Sequence, residues 1–92
     1  MPRVEFTHHL RRFFPALPTA GVSVDGAAVR ELVASLDALH PGMARYLTDE
    51  SGHLRKHVAL YMGDAPIADR PELSDPVPPT GTLFVFQALS GG

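Results

Sequence analysis

Polar and apolar positions alternate along Arg3-Val4-Glu5-Phe6-Thr7, the period of a half-buried strand with Val4 and Phe6 toward a core. His8 to Leu17 loses the pattern and ends at Pro18, so it is expected to be an irregular connection. Gly21-Val22-Ser23-Val24-Asp25 alternates again, with Val22 and Val24 inward, which predicts a hairpin with the first strand. After Asp25-Gly26 the period changes. Val29, Leu32, Val33, Leu36 and Leu39 recur at three and four, the stripe of a one-sided helix, with Arg30, Glu31, Ser35 and Asp37 on the other side. Asp25 is the candidate cap for the helix start. His40-Pro41-Gly42 ends the helix, since proline disfavours helical geometry in the residue before it. Met43 to Leu47 can add one short turn.

Val58-Ala59-Leu60-Tyr61-Met62 is the strongest strand pattern, with Val58, Leu60 and Met62 on one side and Ala59 and Tyr61 on the other. Gly63-Asp64 signals a turn, and Ala65-Pro66-Ile67 a short edge segment, where proline is tolerated. Leu73 to Thr80 carries Pro76, Pro78 and Pro79 and is expected to be a long, stiff loop. Thr82 to Ala88 is the last strand, with Leu83 and Val85 on one face and Phe84 and Phe86 on the other. The order strand, strand, helix, strand, edge piece, strand predicts an α+β domain, with a mixed sheet of four to five strands packed on one main helix. One helix covers one face of that sheet. Ala59, Tyr61, Phe84 and Phe86 then line the open face as candidate partner-docking residues; the competing reading buries the aromatic rings in the core.

Composition narrows the function. Ninety-two residues form one domain, here 1–92, and 45% apolar content suits a globular chain. The net charge of −2 and the lack of a long basic run argue against a nucleic-acid partner. No apolar run approaches the length of a membrane span, and no charged-then-apolar leader opens the chain, so a cytoplasmic location is expected. Cysteine is absent, which removes disulfides, thiolate nucleophiles and cysteine metal sites. Five histidines include His8-His9 and the pair His53 and His57, but the latter spans a loop-to-strand junction; the expectation is no metal site. No phosphate-binding glycine loop or nucleophile elbow occurs, so no catalytic residue is assigned. Arg11-Arg12 and Arg55-Lys56-His57 are small basic clusters, solvated or steering toward an acidic patch.

The sequence finishes on Ser90-Gly91-Gly92. Two glycines leave the backbone free to thread into a narrow site, so 88–92 is expected to be a flexible, exposed tail.

These pieces together resemble the ThiS/MoaD sulfur-carrier proteins, which share the β-grasp fold with ubiquitin. Val24-Asp25-Gly26-Ala27-Ala28-Val29-Arg30-Glu31-Leu32-Val33 looks like that family's start of the helix. His40-Pro41-Gly42-Met43 looks like its end, and Leu54 to Asp64 like its central strand and turn. Ala28 departs from a threonine cap, Gly63 from a frequent asparagine, and Pro79-Thr80-Gly81-Thr82 from an acidic turn. The resemblance implies that a ubiquitin-activating-type adenylating enzyme joins the Gly92 carboxylate to AMP from ATP, and that a sulfur donor such as a sulfurtransferase converts it to a thiocarboxylate. A downstream synthase then takes the sulfur. Gly91 provides clearance, the chain binds no cofactor of its own, and any thiol belongs to a partner. The resemblance places a docking hydrophobe at Phe86. It also leaves open the small subunit of molybdopterin synthase, a ubiquitin-like modifier joined through Gly92 to lysines, and a β-grasp binding module with an incidental tail.

Overall fold

Two segments far apart in sequence form the centre of the sheet. In the computed structural model, which describes residues 1–87, β1 (Arg3–Phe6) pairs in parallel with the last strand, Thr82–Gln87, with Val4 opposite Leu83 and Phe6 opposite Val85. Ala88 and the Gly91-Gly92 tail lie outside the described residues. Three more strands complete the sheet: β2 (Val22–Ser23), β3 (Val58–Met62) and β4 (Ala65–Pro66), so the last strand is β5. Their order is β2-β1-β5-β3-β4, mixed because only β1 and β5 run parallel. Pro66 sits in the edge strand β4, where its missing N–H costs no central ladder bond.

The alternation read from the sequence sorts the two faces. Val4, Val58, Leu60, Leu83 and Val85 are each at most 1% exposed and point to one side. There they meet helix α1 (Val29–Leu39), whose Val29, Leu32, Val33 and Leu36 join the same buried cluster. Leu39 belongs to the predicted stripe but is 59% exposed; it is the last residue of the helix. A second short helix, α2 (Met43–Leu47), follows as expected. Gly42 starts it with φ +101°, a left-handed conformation that a side chain would strain. The Asp37 carboxylate caps it, accepting the N–H groups of Gly42 at 3.1 Å and Ala44 at 2.9 Å.

Three expectations change. His8 to Leu17 is not wholly irregular: His8–Arg12 forms a 3-10 helix that buries Leu10, and Leu17 is buried beyond it. A lone buried leucine in a run of His and Arg carries no periodic signal. The second strand is shorter than Gly21–Asp25, covering Val22–Ser23, with Val22 only half-buried and Val24 taking the core position. Asp25 does not cap α1. The capping residue is Ala28, which has no side-chain acceptor. The free N–H groups go elsewhere: Val29 donates to the Asp75 carbonyl at 3.0 Å and Arg30 to the Leu73 carbonyl at 2.9 Å. Glu31 reaches back to accept the Ala27 N–H at 2.8 Å, just before the cap.

The proline-bearing loop therefore supplies the start of the helix, and its own carboxylates hold it in shape. Asp75 accepts the N–H groups of Ala68 and Asp69 at 2.9 and 2.8 Å. Asp69 accepts the Ser74 hydroxyl and the Glu72 N–H. The Ser74 hydroxyl, followed by the Glu72 N–H, holds the Asp69 carboxyl below its ordinary 3.8. A group whose folded value is lowered stabilises the fold above its unfolded value, and that contribution disappears as pH falls through the lowered one. Ser74→Ala is expected to raise the Asp69 value and shift the acid loss of stability to higher pH, measured by denaturant unfolding at a series of pH values below 5. An acid limb identical to that of the unaltered chain would count against this account. In the core, Leu36→Ala should cost about 2–5 kcal/mol in urea unfolding, as expected for a buried leucine.

Candidate functional site: the open face of the sheet

Side chains of opposite parity to the core emerge on the sheet face that no helix among the described residues covers. Phe84 and Phe86 alternate with buried Leu83 and Val85 on β5, and Ala59 and Tyr61 with Val58 and Leu60 on β3. Antiparallel register brings the four together: Ala59 lies opposite Phe86, and Tyr61 opposite Phe84. Such directly opposed side chains are the closest neighbours across a sheet. The Phe86 ring meets Tyr61 edge-on at 5.5 Å between centroids and lies nearly parallel to Phe84 at 6.4 Å. Phe86 is 43% exposed, and the other three are half-buried.

The four line an open depression of about 680 Å³, together with Gly63, Asp64 and Gln87. An apolar floor with aromatic anchors and a polar rim has the composition of a protein-docking surface. Gly63 and Asp64 were not singled out from sequence as part of this face. Gly63 shares the parity of Tyr61 two residues on, and that signal was available. On the other side of β5, Glu5 lies opposite Phe84, so the aromatic patch gives way to polar positions across β1.

The histidines take separate places. His9 stacks edge-on against Phe13 at 5.9 Å, His57 against Tyr46 at 6.2 Å, and the His53 N–H is held by the Asp49 carboxylate at 3.1 Å. Among the described residues no three His, Asp or Glu side chains gather closely enough to hold a metal ion, and no helix is long and apolar enough to cross a membrane. Gly91 and Gly92, the expected site of chemistry, lie outside the described residues; the sequence joins them to the strand that carries Phe84 and Phe86.

The exposure of Phe86 separates docking from core service. Phe86→Asp is expected to lower the unfolding free energy by no more than about 1.5 kcal/mol, the scale of a lost aromatic pair. A loss of about 3–5 kcal/mol, as for truncation of a buried phenylalanine, would place the ring in the core instead.

No family model matches the chain, and no curated protein does. Solved structures do. The structure of CysO from Amycolatopsis orientalis in complex with BexX superposes with a TM-score of 0.84 at 23% identity, covering 100% of both chains. CysO from Mycobacterium tuberculosis, described as an antigen, gives 0.81 at 21% identity over 97% of this chain and 100% of that one. SAMP1 from Haloferax volcanii, a small archaeal modifier protein, gives 0.75 at 21% identity over 99% and 98%. At these identities the likeness is one of architecture, and it extends over nearly the whole of each chain: the protein has the ubiquitin-like β-grasp fold.

Proposed function

We propose that the protein is a sulfur carrier whose Gly92 carboxylate is activated and then sulfurised by partner enzymes. The observation that carries this reading is the full-length likeness to CysO, one structure of which is a complex with BexX. The open aromatic face on β3 and β5 and the Gly91-Gly92 sequence support it. A terminal carboxyl ionises with a pKa of about 3.3–3.7, so Gly92 is anionic at neutral pH and able to attack phosphorus. Its oxygen bonds to the α-phosphorus of ATP held by a ubiquitin-activating-type enzyme, and pyrophosphate leaves. Sulfide from a donor such as a sulfurtransferase then attacks the acyl carbon as hydrosulfide, AMP departs with the acyl oxygen and a proton is released, and the thiocarboxylate passes its sulfur to a downstream synthase. Gly91 removes a side chain that would obstruct the adenylation channel. Phe86, Phe84, Tyr61 and Ala59 hold the partner while the carboxylate reacts. The chain itself contributes no general acid or base; it is the substrate of its partners, and the ATP belongs to them.

Likeness to SAMP1 favours a second reading, conjugation of Gly92 to lysines of other proteins. Intact-mass analysis of the protein from its native host separates the two. A shift equal to one oxygen replaced by sulfur is the expected result. Gly-Gly remnants in isopeptide linkage on lysines, with no sulfur-bearing chain, would instead establish the modifier. Deleting Gly92 should abolish both products, and Phe86→Asp should reduce them in a chain that remains folded.

A further inference from the structure

Around Gln87, the last described residue, the fold gathers cationic and aromatic side chains from segments distant in sequence. The Gln87 Nε2 group donates to the Tyr46 hydroxyl at 2.5 Å, and Gln87 lies opposite Val58, the neighbour of His57. The Tyr46 ring packs against Phe13 at 5.4 Å and His57 at 6.2 Å, and Phe13 against His9 at 5.9 Å. Phe13 is 57% exposed, more than Phe86 on the sheet face. One cleft beside this row is lined by Thr7, His8, His9, Arg12 and Gln87. Another is lined by Phe14, Gly42, Arg45, Tyr46, Arg55 and His57. Exposed Lys56 adjoins the second through Arg55 and His57. Neither cleft is lined by an acidic residue, although the chain has ten. Asp49 and Glu50 line a separate cleft, which they share with Arg45 and Arg55. A chain of net charge −2 thus carries a cationic collar where it passes into residues 88–92.

The collar suits a partner that brings carboxylates to Arg12, Arg45 and Lys56, all of them exposed. An acidic stretch of polypeptide offers them, and a chain of net charge −2 does not favour the backbone phosphates of a nucleic acid.

We propose that this collar is a second docking surface, separate from the aromatic sheet face, and that it takes an acidic polypeptide segment on the rim of the partner site that receives the end of this chain. The carrier reading enters only in saying which protein brings that segment. Complementary charge around the exit point aligns the end of the chain before the apolar face makes contact, and the alignment weakens as salt screens it.

The test compares the unaltered chain with a variant carrying Arg12→Glu, Arg45→Glu and Lys56→Glu, all at exposed positions, whose thermal unfolding is checked first. In an NMR titration, a peptide of Asp, Glu and Gly should shift the amides of Thr7, His9, Tyr46 and Gln87. Its affinity should fall roughly tenfold in the variant, the scale of several reversed rim charges. Shifts confined to other surfaces, or tighter binding there of a uridine oligonucleotide matched in charge, overturn the proposal. In the native host, the fraction of chain carrying sulfur should drop by a similar factor in the variant. An unchanged fraction overturns the collar and leaves the carrier reading intact. An unaltered chain that never carries sulfur overturns the carrier reading, and the peptide titration still decides the collar.

Discussion

A single helix can cover only one side of a five-stranded sheet, and the surface chemistry of this protein follows from that limit. A chain of 92 residues has material for one modest core. It spends α1 on Val4, Leu60, Leu83 and Val85, and the 3-10 helix, α2 and the proline-bearing loop contribute Leu10, Met43 and Leu73 to the same cluster. Nothing in the described residues is left for the opposite face. There the strand pattern still requires side chains at alternate positions, and aromatic residues occupy them. Phe84, Phe86 and Tyr61 shield one another through edge and stacked contacts, which reduces the apolar area presented to water while leaving an open aromatic patch.

The parts of this architecture that could be read from sequence are those with a period. The strand alternation of Val58–Met62 and Thr82–Gln87 assigned each side chain to its face, and the three-and-four spacing from Val29 to Leu36 located the helix. The open aromatic face is a by-product of the same parity, which is why Ala59, Tyr61, Phe84 and Phe86 are read together. What resisted reading were interactions closed through space. Tyr46 looks like an ordinary residue of a short helix until its hydroxyl meets Gln87, 41 positions away. Phe13 looks like part of a connection until it lies against that ring. No local pattern encodes either contact.

The start of α1 shows the same limit from another side. Local rules expect a short polar side chain at the cap, and Asp25 was the nearest one. The fold instead uses carbonyls of Leu73 and Asp75, more than 40 residues downstream. Leu73 takes φ +54°, an unusual value for leucine, with its side chain 2% exposed and its carbonyl directed to Arg30. Burial and the helix bond together hold a backbone conformation that neither the residue nor its neighbours would choose alone. Ala28 can lack a capping oxygen because the loop supplies one, so the helix start and the loop are one structural unit.

The place of β5 has a consequence for synthesis. Among the described residues it is the last strand in chain order and the middle strand of the sheet, bonded to β1 on one side and β3 on the other. A nascent chain that has not yet released Thr82–Gln87 from the ribosome has two half-sheets with no partner between them, and their pairing edges stay open. Folding therefore waits for translation to reach the segment that carries Phe84 and Phe86, and the long-range closure of β1 on β5 comes late. A chain interrupted before that point cannot assemble the sheet and is left to proteolysis. The open face built from β3 and β5 consequently exists only in molecules in which Thr82–Gln87 has been made.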